Sequence, residues 1–146
     1  MAIVETRGLT RIYRMGRSEV RALNGVDLTV ERGEFLSVMG RSGSGKSTLL
    51  HILGCLDRPT SGEMFLDGVE VTRLPRKALP RLRREKIGFV FQQFNLIPTL
   101  TALENAALPL RYAGVGGKEQ QRRAQEALEK VGPVSYTHLR AHETPE

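Results

Sequence analysis

Apolar and polar residues alternate near the start of the chain. Ile3-Val4-Glu5-Thr6 and Leu9-Thr10-Arg11-Ile12-Tyr13 read as short extended segments. Val26, Leu28 and Val30 alternate with polar residues, as in a strand with one buried face. Together they predict an antiparallel N-terminal layer. After Glu31-Arg32-Gly33 comes Phe35-Leu36-Ser37-Val38-Met39, a short apolar run of the kind that parallel sheets bury on both faces. Leu49, Ile52, Leu53 and Leu56 then recur at helical spacing. Arg58-Pro59-Thr60-Ser61-Gly62 breaks that pattern. Met64-Phe65-Leu66 and Val69-Glu70-Val71 flank Asp67-Gly68, a dipeptide suited to a two-residue hairpin turn. Ile87-Gly88-Phe89-Val90-Phe91 reads as a second buried strand. Thr101 and Glu104 have capping-box spacing, so a helix is expected there, and Pro109 should kink or end it. Lys118 to Val131 predicts an amphipathic helix with Ala124, Ala127, Leu128 and Val131 on one narrow face. Glu119 with Arg123, and Glu126 with Lys130, are favourable i,i+4 pairs. Gly132 is placed to close that helix in a left-handed cap.

Length and composition narrow the picture. The chain has 146 residues, of which 40% are hydrophobic, enough for one domain with a core. Its net charge of +6 permits attraction to phosphates or anionic headgroups without proving either. Residues 73–86 carry seven basic side chains and one acid, Glu85. Without interleaved aromatics to stack nucleobases, this stretch reads as a solvated helix rather than a nucleic-acid face. Cys55 is the only cysteine, so no internal disulfide is possible and a reducing setting fits. It reads as a small buried hydrophobe. No run approaches the roughly 18 apolar residues of a spanning helix, and Met1 to Arg11 lacks the apolar stretch of a secretion signal. The chain is expected not to enter a membrane by itself, though it could sit against a membrane protein.

One stretch carries chemistry. Gly40-Arg41-Ser42-Gly43-Ser44-Gly45-Lys46-Ser47-Thr48 fits G-x-x-x-x-G-K-[ST], the phosphate-binding loop of nucleoside-triphosphate-binding proteins. Glycines let the backbone wrap tightly, so successive N–H groups point inward at phosphate oxygens. Lys46 adds a full positive charge for the β- and γ-phosphates. The Ser47 hydroxyl suits Mg²⁺, a hard cation that prefers oxygen. Thr48 is placed to bond the α-phosphate. A strand runs into the loop and a helix starts within it, so the helix N-terminus faces the phosphates. Two residues outside the loop are ambiguous on their own. Tyr13 either packs within the N-terminal layer or stacks on a base, worth roughly 0.5–1.5 kcal/mol beyond burial. Gln92, at the end of a buried strand, is either an ordinary exit or an amide that reaches a ligand.

Tyr13, the loop at residues 40–48 and Phe91-Gln92-Gln93-Phe94-Asn95-Leu96 together resemble the ATP-binding subunit of ABC transporters. Arg21-Ala22-Leu23-Asn24-Gly25-Val26-Asp27-Leu28, Gly54-Cys55-Leu56-Asp57-Arg58-Pro59-Thr60-Ser61-Gly62 and the stretch from Ile87 through Leu110 are similar to the lipoprotein-releasing and macrolide-export type. The likeness runs from residue 2 to residue 132. It implies an α/β fold of the P-loop type, with a parallel sheet, an antiparallel N-terminal layer and the start of a helical subdomain. It implies ATP and Mg²⁺ as cofactors. Tyr13 would stack on adenine, and Gln92 would approach Mg²⁺ and the attacking water. Residues 92–109 would face the cytoplasmic coupling helix of a transmembrane permease. Arg41 varies between such loops and is assigned backbone contacts only. Pro80 would shorten a helical arm. Two ATP-binding subunits would pair as a homodimer on the inner face of the plasma membrane, with ATP hydrolysis driving export or lipoprotein release and no nucleic-acid partner.

The resemblance also implies a Leu-Ser-Gly-Gly-Gln signature, a strand ending in Asp-Glu and a later switch histidine. None of these occurs within residues 1–146. His51 lies in the loop helix, and His138 and His142 lie near the end. Pro133 to Thr144 reads as an in-frame translation of a transposon adapter used in DNA library preparation. The rival view is a native turn before the signature. A partial ATP-binding domain is therefore expected over 1–132, with a non-native tail over 133–146 and no hydrolysis by this chain alone. The alternatives are a nucleotide-binding module without turnover and a soluble, non-transport ABC ATPase.

Overall fold

The structure, a computed structural model, describes residues 1–93 and 95–132. The expected tail over 133–146 lies outside the described residues. Two compact units divide the chain, Met1–Phe89 and the residues from Val90 onward.

The first unit is built on a long antiparallel hairpin of β1 (Ala2–Met15) and β2 (Ser18–Glu31). Met15 pairs with Ser18 across Gly16-Arg17, and Gly16 takes φ +64°, the first-position conformation of a type II′ turn. The two short segments expected at the N-terminus are one strand, kinked where the register shifts between Thr6 and Leu9. The shift lets Thr6 and Leu9 both turn inward, although three residues apart. Thr6 is buried and its hydroxyl donates to the Val26 carbonyl at 3.0 Å.

The sheet order is β2-β1-β3-β4, antiparallel throughout, with β3 at Ser61–Leu66 and β4 at Val69–Glu70. Asp67 (φ +49°) and Gly68 (φ +80°) make the expected tight turn, of type I′. Val71 leaves the strand for a 3-10 turn, Val71–Arg73, and a second covers Arg76–Ala78.

Helix α1 (Lys46–Leu53) contributes Leu49 and Ile52 to the core, beside Leu9, Leu23, Met64, Leu66, Val71 and Leu79. Leu56 lies beyond its end and is half exposed. Cys55 is buried as expected, and burial pushes its thiol pKa up. Helix α2 (Leu79–Lys86) carries Pro80 in its first turn, where no backbone donor is needed. Pro80 therefore does not cut the helix short. Three residues of the basic stretch are ion-paired: Arg73 with Glu70, Arg81 with Glu85, and Lys86 with Asp67 at 2.8 Å.

One part of the expected sheet differs. Residues 35–39 and 87–91 carry no ladder to any strand among the described residues. Phe35 and Met39 are more than nine-tenths exposed and Val90 is fully exposed. A parallel strand is defined by hydrogen bonds to its neighbours, and apolar runs alone do not supply them. The described sheet is thus the antiparallel layer.

In the second unit, α3 (Ala102–Tyr112) starts at the expected capping box. The Glu104 amide donates to Thr101 Oγ1 at 3.1 Å, and the Thr101 amide to Glu104 Oε1 at 3.3 Å. Pro109 does not end the helix, which continues to Tyr112 with the Ala113 amide bonded to the Pro109 carbonyl. Asn105 holds the preceding loop: its amide donates to the Leu100 and Thr101 carbonyls and its Oδ1 accepts from the Ile97 amide. Helix α4 (Gly117–Val131) buries Ala124, with Leu128 partly covered. Ala127 and Val131 are exposed, so its apolar face is narrower than expected. Gly132 is extended, at φ −179°, and does not form a left-handed cap.

Candidate functional site: a phosphate loop and an aromatic platform

The loop at residues 40–48 wraps tightly because its glycines allow it. Gly43 (φ +81°) and Gly45 (φ +97°) lie in the left-handed region, and Gly45 caps α1. A Cβ on Gly45 would stand 2.3 Å from the Ala22 carbonyl oxygen of β2. A Cβ on Gly40 would stand 2.6 Å from Ser44 Oγ. Loop, hairpin and helix therefore touch through positions with no room for a side chain.

Lys46 folds back across the loop. Its ammonium donates to the carbonyls of Gly40 and Arg41, the latter at 2.7 Å, and to Ser44 Oγ at 3.2 Å. All three acceptors are neutral, so its charge is held in place but not cancelled. Arg41 contributes backbone alone to these contacts: its carbonyl accepts from Lys46 and from the Ser44 amide. Ser47 is exposed in the first turn of α1.

Tyr13, Val20 and Ala22 of the hairpin face Ser42, Gly43 and the stretch Gly45 to Thr48 across one cleft of about 580 Å³. The Tyr13 hydroxyl lies 3.5 Å from Thr48 Oγ1 and donates to Asp57 Oδ2 at 3.4 Å. Tyr13 is thus at the loop. Gln92 belongs to the second unit, where it is exposed. Val20, Ala22, Arg11 and Asp57 are additions to the site. The turn at Gly16-Arg17, which brings Val20 and Ala22 back beside Tyr13, was the signal available for two of them.

The residues fit a nucleoside triphosphate with Mg²⁺. Positive φ at Gly43 and Gly45 lets the loop turn backbone amides toward an anion, and the uncancelled Lys46 ammonium stands beside them. Among the described residues no cluster of His, Cys, Asp or Glu could hold a metal by itself. Mg²⁺ would take Ser47 and phosphate oxygens, consistent with its habit of sharing ligands with substrate.

The glycine loop, its lysine and the helix that opens on them define a P-loop nucleotide-binding domain. The family model described as "ABC transporter" matches residues 23–146, and the chain belongs to that family. An uncharacterized ABC transporter ATP-binding protein of Thermotoga maritima is 52% identical over 141 residues, covering 97% of this chain and 60% of the relative. The macrolide export ATP-binding/permease protein MacB of Neisseria gonorrhoeae is 44% identical over 135 residues, covering 92% of this chain and 21% of that protein. A solved structure of the ATP-binding cassette MJ0796, dimeric, post-hydrolysis and bound to ADP and Pi, superposes with a TM-score of 0.88 at 44% identity. That match covers 97% of this chain and 63% of the cassette. The fold is therefore that of an ABC cassette. The chain spans well under two thirds of the length of the curated relatives it matches.

Proposed function

We propose that the chain binds ATP with Mg²⁺ and belongs to an ATPase that powers an ABC-type exporter or lipoprotein-release complex. The observation that carries this is the single cleft shared by Tyr13 and the loop. A base on Tyr13 and phosphates in the loop require both ends of one ligand to be reachable from one hollow. The cassette MJ0796, with ADP and Pi bound, supports the same reading.

In this reading the loop amides and Lys46 hold the β- and γ-phosphates and oppose the charge that grows on them as the phosphoryl group leaves. Ser47 offers its hydroxyl to Mg²⁺, which when bound neutralises charge on the same phosphates. Thr48 bonds the α-phosphate, Tyr13 stacks on adenine, and Gln92 approaches the metal and the attacking water. Residues 1–146 contain neither the signature nor the catalytic carboxylate. Hydrolysis therefore requires groups from outside this sequence, and the 146-residue chain alone binds nucleotide without turning it over.

The partners follow from the same reading: a second ATP-binding subunit and a transmembrane permease docked along residues 92–109. The Asn105 clamp and the Thr101–Glu104 box support the docking role, because they hold residues 97–105 in a defined shape. No described helix is long and apolar enough to cross a membrane, so attachment to the inner face would run through the permease.

The test is Lys46→Ala in the full-length protein containing this sequence. Losing charge-assisted bonds to phosphate costs roughly 1.5–3 kcal/mol, so ATP affinity should fall about 10- to 100-fold. Phosphate release should fall to background. Unchanged ATP affinity in the variant would overturn the assignment.

A further inference from the structure

Tyr13 is held by more than its strand. Arg11, two positions earlier on the same face of β1, lays its guanidinium over the Tyr13 ring, 4.5 Å from the centroid. The Arg11 Nε donates to Asp57 Oδ2 at 3.1 Å. The same carboxylate oxygen accepts from the Tyr13 hydroxyl at 3.4 Å, and Asp57 Oδ1 accepts from the Arg58 amide at 2.8 Å. The Arg11 and Asp57 side chains are 26% and 32% exposed, so the pair is only partly open to water.

We propose that Arg11 and Asp57 are positioning residues for the nucleotide base. Arg11 covers one face of the Tyr13 ring, and Asp57 holds both the guanidinium and the phenol. The ring is then left with one free face, presented at a fixed distance from the phosphate loop. This inference rests on the ATP reading above.

Two features of the fold support it. First, Arg11 lines a separate hollow with Ile12, Tyr13, Arg14 and Thr60, and is not part of the loop cleft. Tyr13 thus lines both hollows, and Arg11 only the one outside the loop cleft. Second, Asp57 and the loop are tied to opposite ends of one short helix. Lys46 opens α1, and past its last turn the Leu56 and Asp57 amides both donate to the His51 carbonyl. The Thr60 amide donates to the Thr10 carbonyl and the Ile12 amide to Thr60 Oγ1, which clamps β1 to the segment after Asp57. Strand, helix and carboxylate thus set the separation between base platform and phosphate cradle. A ring ordered before binding loses less rotamer freedom when the base arrives. Without Arg11, the ring would be free to turn toward the second hollow.

The experiment separates base from phosphates. Affinities for Mg·ATP and for Mg·tripolyphosphate are measured by calorimetry in the full-length protein containing this sequence. The ratio of the two reports the adenosine contribution, and its change between variants isolates the part that passes through the Tyr13 platform. Arg11→Gln should lower that ratio about two- to fivefold, the scale of a lost cation–π contact, with tripolyphosphate affinity unchanged. Arg11→Lys should recover part of the loss. In a Tyr13→Leu background, Arg11→Gln should change nothing. Should Arg11→Gln fail to fold, Asp57→Asn answers the same question, with a fall of about twofold expected. An unchanged ratio, an equal weakening of both ligands, or an Arg11 effect that survives Tyr13→Leu would overturn the proposal. A wild-type ratio of one, or a Lys46→Ala variant that binds both ligands as tightly as wild type, would overturn the ATP reading and this proposal with it.

Discussion

Gly45 is the position where loop, helix and sheet have least room, and Gly45→Ala should be among the most damaging small substitutions in the site. Two separate costs apply. At φ +97° a side chain enters the left-handed region, worth about 1–2 kcal/mol. The added methyl would also stand 2.3 Å from the Ala22 carbonyl oxygen and 3.3 Å from Leu23 Cδ2. The first neighbour is strand backbone, at the register shift opposite Arg11 and Ile12, so relief of the overlap requires β2 itself to move. Overpacking of this kind adds roughly 1–3 kcal/mol. Gly43→Ala is the control: its φ is +81°, yet nothing lies within 4 Å of the built Cβ. It should lose only the backbone cost. Thermal unfolding of the two variants measures the difference, at about 2–4 °C per kcal/mol for a domain of 150–250 residues. Gly45→Ala should melt several degrees below Gly43→Ala. Its ATP affinity should fall as well, since relief of the overlap displaces the loop from the hairpin that carries Tyr13. Equal melting temperatures would show that the loop and Ala22 are not in contact, and the geometry of the cleft would then be wrong.

Two further predictions concern the second unit. Thr101→Ala should cost about 1 kcal/mol and speed amide exchange at Glu104, with little further loss when Glu104→Ala is added; strictly additive losses would argue against the reciprocal box. Arg122, and then Arg123, hold the Glu119 carboxyl down to about 2 from its ordinary 4.5. Because the folded value is depressed, this stabilisation is complete above pH 4.5 and is lost as pH falls through 2. Helicity followed by circular dichroism should decline less steeply over that range in Glu119→Gln than in wild type. High salt should shrink the difference, since the group is exposed. Identical profiles would remove Glu119 from the account.

The parts legible in the sequence were those that local chemistry decides. Asp67-Gly68 turns because both residues accept positive φ, and the Thr101–Glu104 box forms because its partners are three residues apart. The phosphate loop belongs to the same class: its glycines and Lys46 act within nine residues. The long N-terminal hairpin was harder to read because a register shift between Thr6 and Leu9 breaks the alternation that marks a strand. Gly16-Arg17 is also a less distinctive turn dipeptide than Asp67-Gly68. Residues 35–39 and 87–91 were correctly apolar, but a ladder is a property of two strands, and composition describes only one.

The same distinction explains why Tyr13 is ambiguous in the sequence and Asp57 carries no signal there. Tyr13 looks alike in sequence whether it packs or stacks. Its surroundings decide: β2 brings Val20 and Ala22 beside it, and α1 brings Thr48 and, past its end, Asp57. Asp57 lies 44 residues from Tyr13 and 46 from Arg11. No spacing rule joins positions that far apart. They meet just past α1, where Cys55 takes φ +58° and the Asp57 amide is still bonded to the His51 carbonyl of that helix. A buried cysteine, read from sequence as plain core filler, thus lies in the turn that delivers a carboxylate to the base platform. Changes at Cys55 should therefore be read through Tyr13 as well as through the core.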